Sequence, residues 1–329
     1  MKRAAALLCA FALAACATRE HVQPELEHVS EGRPAMGTVL EITLVADDRA
    51  KASAAIERCF AEVARLEAIF TTWRADGELA RLNAKAGQGP QPASRELVGI
   101  LIDARGFARE TEGAFDISVG PLMQLWRAAE TRGAAPSTAE IASAREGIGL
   151  ERVEIDAARG TIALPRGAAL DLGGIAKGWA LDRLGELLRA AGFERALLNF
   201  GGSSLLAMGA PARGASWRVR IGSAPTLNLR DVSASISDSF GQFFEIAGER
   251  YGHIVDPRNG ANVAREQRAI VLAPTGAIAE AWSTALIVLD PEAGIAALRA
   301  MGKIEARVDD GAAVLAETPG FHLDVDGGG

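Results

Sequence analysis

Several common signatures are missing from this chain of 329 residues, and each absence removes a class of function. No basic cluster interrupts an acidic balance of formal charge −7, which argues against nucleic acid as a partner. The apolar run over 4–15 is too short to span a bilayer. Cysteine occurs three times, at Cys9, Cys16 and Cys59, too sparsely for a disulfide framework. Neither the G-x-x-x-x-G-K-[ST] loop nor the G-x-G-x-x-G fingerprint of nucleotide sites occurs. Internal repeats and low-complexity core segments are absent too.

Glycine, by contrast, is plentiful, and its most informative placement is Leu170-Asp171-Leu172-Gly173-Gly174-Ile175-Ala176-Lys177-Gly178. Here a carboxylate, three glycines and a lysine precede an amphipathic helical pattern. Glycines admit close backbone approach, a helix N-terminus offers free N–H donors, and Lys177 adds a point charge, so the segment suits a phosphate group. A tight helix entry with a solvated lysine explains the same residues without any ligand.

At the N-terminus, Lys2 and Arg3 precede the apolar run, which ends at Leu13-Ala14-Ala15-Cys16. This pattern resembles a bacterial lipoprotein signal: residues 1–15 form the leader, and Cys16 becomes the lipid-bearing first residue. Loss of Lys2 and Arg3 with the leader takes the formal charge from −7 to −9. Residues 16–32, polar and rich in Glu, read as a tether, residues 33–326 as the folded domain, and residues 327–329 as a disordered tail.

Within the domain, apolar residues recur every three or four positions over 52–70, which predicts a helix with Cys59 on its buried face. Ser94 opens a second helix, Ser137 and Glu140 form a capping box for a third, and further helices are predicted over 175–191, 277–289 and 292–301. Short strands are expected over 39–45, 153–155, 196–200, 217–221, 232–236, 243–246, 270–273, 304–308, 313–315 and 321–325. Strands and helices alternate without the spacing of a parallel βαβ protein, so the expected class is α+β with mixed or antiparallel sheets packed by helices.

Four more segments accompany the glycine loop: Pro34-Ala35-Met36-Gly37-Thr38, Gly113-Ala114-Phe115-Asp116-Ile117-Ser118, Asn199-Phe200-Gly201-Gly202 and His253-Ile254-Val255-Asp256-Pro257-Arg258-Asn259-Gly260. In this order and spacing they resemble the ApbE family, the FAD:protein FMN transferases. The resemblance implies that Met36 and Trp73 hold the isoalloxazine ring of FAD, and that Ala114, Phe115, Asp116, Asp171, Lys177 and Ile254 make further FAD contacts. It also implies a Mg²⁺ site from the carbonyl of Gly174 with Glu280, Ser283 and Thr284. Glu280 and Thr284 are four residues apart on a predicted helix, so both oxygens face one ion.

Three departures from the family pattern bear on activity. Glu280 stands where relatives usually have Asp, Asp238 occupies a position commonly held by glycine, and Gly77 one often held by serine. His253 either handles the proton of an incoming hydroxyl or orders the loop around it.

The implied reaction is transfer of FMN from FAD to a Thr or Ser hydroxyl, with AMP released. By family analogy the partners are exported acceptor flavoprotein subunits of membrane redox complexes, on the periplasmic side of a lipid-anchoring membrane, with the outer membrane favoured. Water in place of the hydroxyl would make the chain an FAD pyrophosphatase. A site without turnover would make it an FAD-binding lipoprotein. Release of AMP separates enzyme from binder, and labelling of an acceptor separates transferase from hydrolase. For the anchor, Cys16→Ala is expected to move the protein from the membrane fraction to the soluble fraction; retention of the variant in salt-washed membranes contradicts lipidation at Cys16.

Overall fold

The computed structural model describes residues 26–220 and 226–321. Chain order runs β1 (Glu27–Ala35), β2 (Thr38–Ala46), α1 (Arg49–Phe70), α2 (Glu78–Ala84), β3 (Gln91–Pro92), α3 (Arg95–Glu110), α4 (Gly120–Arg132) and α5 (Thr138–Arg145). A single 3-10 turn then leads to β4 (Glu154–Asp156), β5 (Thr161–Ala163), α6 (Ala176–Ala190), β6 (Ala196–Phe200), β7 (Ser204–Met208), β8 (Trp217–Val219) and β9 (Leu227–Leu229). After these come β10 (Val232–Asp238), β11 (Phe243–Ile246), β12 (Glu249–Gly252), β13 (Arg268–Ala273), α7 (Gly276–Val288), α8 (Pro291–Met301), β14 (Glu305–Asp309) and β15 (Val314–Glu317).

Eight strands form the main sheet in the order β1-β2-β6-β7-β10-β13-β14-β15, and every neighbouring pair is antiparallel. The expected α+β class holds. One face carries the main core, in which α1, α3, α6 and α7 contribute fully buried Ile56, Leu66, Leu101, Leu184, Trp282 and Leu286. The other face carries a smaller core roofed by the β8–β9 hairpin and Phe321. A third cluster joins Trp126 of α4 to the β11–β12 hairpin, with the Trp126 and Phe244 rings stacked at 6.1 Å.

Helix α7 is buried on nearly every side, as its apolar sequence demands. It packs on β10 and β13 below and on α6 beside it. Its approach to α6 needs glycine on both helices: a Cβ on Gly178 would lie 2.1 Å from the Gly276 carbonyl oxygen, and one on Gly276 would lie 2.4 Å from that of Gly178.

The predicted helices form, with Ser94 and Ser137 in their predicted capping roles. Cys59 is buried in α1, and burial pushes its thiol up to about 11, so it is an inert core residue. The tether prediction requires correction. Residues 16–25 lie outside the described residues, but from Glu27 the chain is strand β1, paired with β2 along its whole length. His28 accepts a hydrogen bond from the Ala212 backbone N–H at 3.1 Å and packs on Trp217. As a charged edge strand, β1 buries only Val29 and Ala35 and so reads as polar in sequence.

Helices α2 and α4 and strands β3, β5, β7, β9 and β12 were not predicted. Gly120-Pro121 resembles a turn, yet the proline occupies the first turn of α4, where a missing N–H costs nothing. The fully buried β7 lacks alternation. Of the strand expected over 321–325 only Phe321 is described, and the leader, Cys16 and the tail lie outside the described residues.

The glycine contact yields a stability prediction. Gly178→Ala is expected to destabilise the fold by about 3 kcal/mol or more, since backbone must move to admit the methyl group. Gly106→Ala on α3, where a Cβ meets nothing within 4 Å, should leave stability unchanged or raise it. Urea unfolding of both variants checks the pair, and equal stabilities contradict the crossing.

Candidate functional site

Helices α6 and α7 run antiparallel from their glycine contact, which places successive residues of the two predicted motifs opposite one another. Gly178 meets Gly276, Lys177 meets Glu280, and Gly174 meets Thr284. A Cβ at Gly174 would lie 3.2 Å from Thr284 Oγ1 and 3.3 Å from the Phe115 ring, so a bare backbone faces the hydroxyl. Lys177 Nζ lies 3.2 Å from Glu280 Oε1, and the carboxylate is almost fully buried. Ser204 Oγ, at the start of β7, donates to the same oxygen. Glu280 Oε2 is buried without a protein partner, an acceptor left free for a cation or donor.

The crossing is locked by Asp182. Its two carboxylate oxygens accept the Gly276 N–H at 2.6 Å and the Ala277 N–H at 3.0 Å, while Thr275 caps Ile278. A side chain of α6 therefore satisfies the first donors of α7. Burial pushes the Asp182 carboxyl up to about 6 against the two N–H bonds, with Glu280 adding in the same direction.

His253 lies within electrostatic reach of both Lys177 and Asp238. Its Nδ1 lies 2.8 Å from the Gln242 carbonyl oxygen, which can only accept, so Nδ1 carries the proton and Nε2 keeps a free lone pair. Burial holds the imidazole below its ordinary pKa, with Lys177 lowering it further, against the Gln242 hydrogen bond and the Asp238 charge. Burial thus favours the neutral ring. Asp256 accepts from the backbone and guanidinium of Arg258 and from the Asn259 amide, so it orders the turn after His253.

The sequence profile of the ApbE family matches residues 36–308. The chain belongs to the ApbE family. An FAD:protein FMN transferase of Klebsiella pneumoniae is 31% identical over 282 residues, covering 81% of this chain and 80% of the relative. One from Treponema pallidum is 33% identical over 280 residues, covering 78% and 77%. Among solved structures, the flavin transferase ApbE of Vibrio cholerae superposes with a TM-score of 0.75 at 25% identity, covering 89% of this chain and 97% of its own. The apo flavinyl transferase ApbE of Pseudomonas stutzeri gives 0.77 at 26% identity, covering 89% and 95%.

Other residues that the ApbE resemblance singles out fall into two groups. Lys177, Gly174, Glu280, Thr284, Phe115 and His253 surround the α6–α7 crossing. Ala114 and Ile254 are buried close to these in sequence. Met36, with Gly37, forms the two-residue β1–β2 turn at φ 46° and 77°, where Met36 N–H donates to Glu67. Gly201 of the Asn199-Phe200-Gly201-Gly202 motif comes so close to Thr38 that a Cβ would lie 2.2 Å from its Oγ1. Trp73 stands 79% exposed on the α1–α2 connection.

Asp116 is buried, and its oxygens accept from Ser118 N–H, Ser118 hydroxyl and Leu150 N–H. The Ser283 hydroxyl lies 2.8 Å from that of Ser235 and 2.9 Å from that of Ser237, which tie it to the sheet. Among the described residues no three His, Cys, Asp or Glu side chains converge on a metal position. Asp238 needs no positive φ, because it ends strand β10 and accepts the Phe240 N–H. At Gly77 a Cβ would lie 2.6 Å from the Thr71 carbonyl oxygen, which accounts for the glycine there.

Sequence reasoning missed Ser204, Arg127 and the capping role of Asp182. Only Asp182 left a signal, an acid among the small and apolar residues at the start of the helix after the glycine loop. Between its ordinary value of 3.8 and about 6, the folded chain holds a proton that the unfolded chain has lost, so this carboxyl lowers stability as pH rises through that window. The stability difference between wild type and Asp182→Asn should shift by about 3 kcal/mol from roughly pH 4 to pH 7, with wild type losing ground as pH rises. Urea titrations across that range test it, and a pH-independent difference contradicts it.

Proposed function

We propose that this ApbE-family chain is an FAD:protein FMN transferase that moves FMN from FAD to a Ser or Thr hydroxyl of an acceptor protein. The observation that carries the reading is the α6–α7 crossing, where Lys177, the free oxygen of Glu280, the Thr284 hydroxyl and a bare Gly174 backbone meet. The family membership and the names of the relatives support it. By the same analogy the acceptors are exported flavoprotein subunits of membrane redox complexes, met on the periplasmic side of the membrane that anchors Cys16.

The donor set fits a hard divalent cation: a buried carboxylate oxygen without a partner, a hydroxyl and a backbone carbonyl are all oxygen ligands. Glu280, Thr284 and the Gly174 carbonyl would hold Mg²⁺, which supplies charge neutralisation and Lewis-acid polarisation across the diphosphate. Ser204 orients Glu280 from the sheet. Lys177 brings a positive charge for the phosphates.

His253 Nε2 takes the proton of the acceptor hydroxyl as its oxygen forms a bond to the FMN phosphorus. The bond from that phosphorus to the bridging oxygen breaks, and AMP leaves with the oxygen. The role requires a neutral imidazole, the form that burial beside Lys177 favours. Phosphoryl transfer depends chiefly on positioning and charge, which suits residues fixed by a helix crossing.

The test is AMP release and covalent flavin on an acceptor, measured with FAD, Mg²⁺ and the full chain. Glu280→Gln should reduce AMP release on the order of a hundredfold, the effect of losing several kcal/mol of transition-state stabilisation. Glu280→Asp should retain or exceed wild-type activity. Absence of AMP release from wild type with any divalent ion, together with its appearance in Glu280→Asp, overturns the transferase reading in favour of an FAD-binding lipoprotein.

A further inference from the structure

Trp73 has the largest exposure of the exposed large apolar side chains described, 79%, and one side of its ring is nonetheless occupied. The Arg127 guanidinium of α4 lies over the indole, 4.5 Å from the ring centroid. The same guanidinium places Nη2 3.4 Å from Asp171 Oδ2. Asp171 accepts the Gly173 N–H through its other oxygen and donates its backbone N–H to the Ile117 carbonyl. A continuous line of contacts therefore runs from the indole through Arg127 and Asp171 into the glycine loop that opens α6.

The backbone around Trp73 is also held. Its N–H donates to Thr71 Oγ1 at 3.1 Å, the Gly77 N–H donates to the Arg74 carbonyl at 3.0 Å, and Gly77 packs directly on the Thr71 carbonyl. A tight loop thus presents the indole, and a cation backed by a carboxylate sets the plane of the ring. With its neighbour on one side only and most of its surface open, the ring offers its second face to a flat aromatic system, which would stack there at little conformational cost.

We propose that Arg127 is a positioning residue for the flavin half of FAD: it fixes the Trp73 indole as a stacking platform and couples that platform to the glycine loop through Asp171. This rests on the FAD reading above and adds to it a residue and a division of labour. Arg127 acts on the isoalloxazine through Trp73, while the α6–α7 crossing acts on the diphosphate. Lysine cannot substitute fully, because an ammonium lacks the planar face that lies over the indole and the fork that reaches Asp171 at the same time.

The experiment compares three ligands on the full chain by calorimetry: FAD, riboflavin, which lacks the diphosphate and adenosine, and ADP, which lacks the flavin. Arg127→Ala is expected to weaken FAD and riboflavin by roughly tenfold, the loss of one cation–π contact that holds a stacking ring, and to leave ADP within about twofold. Arg127→Lys should fall between the two. In a Trp73→Ala background, Arg127→Ala should cost nothing further, a non-additivity that a merely structural arginine would not produce. Equal weakening of ADP and riboflavin, or additive losses with Trp73→Ala, or no loss in Arg127→Ala while Trp73→Ala loses affinity, would overturn the proposal and leave the FAD reading standing. Absence of FAD binding by wild type would overturn both.

Discussion

The contact between the backbones of Gly178 and Gly276 sets the distance on which the rest of the site depends. Two helices that touch at carbonyl and Cα bring the next residues along each of them within reach, so Lys177 and Glu280 form an ion pair and Gly174 lies against Thr284. Asp182 makes the arrangement directional, because its carboxylate receives the first two N–H groups of α7 and so defines where that helix begins. A side chain larger than hydrogen at either glycine would separate the helices and with them the oxygen donors. Burial of α7 among β10, β13 and α6 then prevents compensation by sliding, since its serine and glutamate hydrogen bonds are made to fixed strand positions.

Charge in this region is balanced locally rather than by solvent. The buried Glu280 carboxylate has Lys177 and Ser204 on one oxygen and nothing on the other. A buried carboxylate half satisfied in this manner is costly unless a ligand completes it, which is the ground for the proposed cation. Nearby, Asp238 and Lys177 act on His253 in opposite directions while burial favours the neutral ring. Asp238 is the departure from the family pattern that touches this balance most directly: at the end of a strand it costs no backbone strain, and its charge offsets part of the effect of Lys177 on the imidazole.

Much of the fold was legible in the sequence because amphipathic period and caps are local signals. The apolar repeat over 52–70, Ser94, and the Ser137–Glu140 box all depend on residues within a turn or two of one another, and all appear as read. Strand β1 was hidden because its outward residues are Glu, Arg and Ser, and pairing with β2, not its own pattern, makes it a strand. The partners that Asp116 and Ser283 find within the chain were hidden for a related reason. A polar residue inside an apolar motif signals a buried partner, but its sequence does not say whether that partner is a ligand or another part of the chain. Leu150 lies 34 residues from Asp116, and Ser235 lies 48 residues from Ser283.

By itself the sequence determined the α+β class, most helices with their caps, and the set of short motifs that marks the ApbE family. Each of these follows from neighbours along the chain or from motif order, which needs no folding to be read. Only the tertiary structure decided which motif residues meet. It joined Gly174 to Thr284 and Lys177 to Glu280 across more than a hundred residues, assigned Asp182 to the cap of a distant helix, and brought Arg127 over the Trp73 ring and beside Asp171. Those pairings are set by close packing of helices on a sheet, where a missing side chain at two glycines, rather than any property of the reactive residues, determines how near the functional groups come.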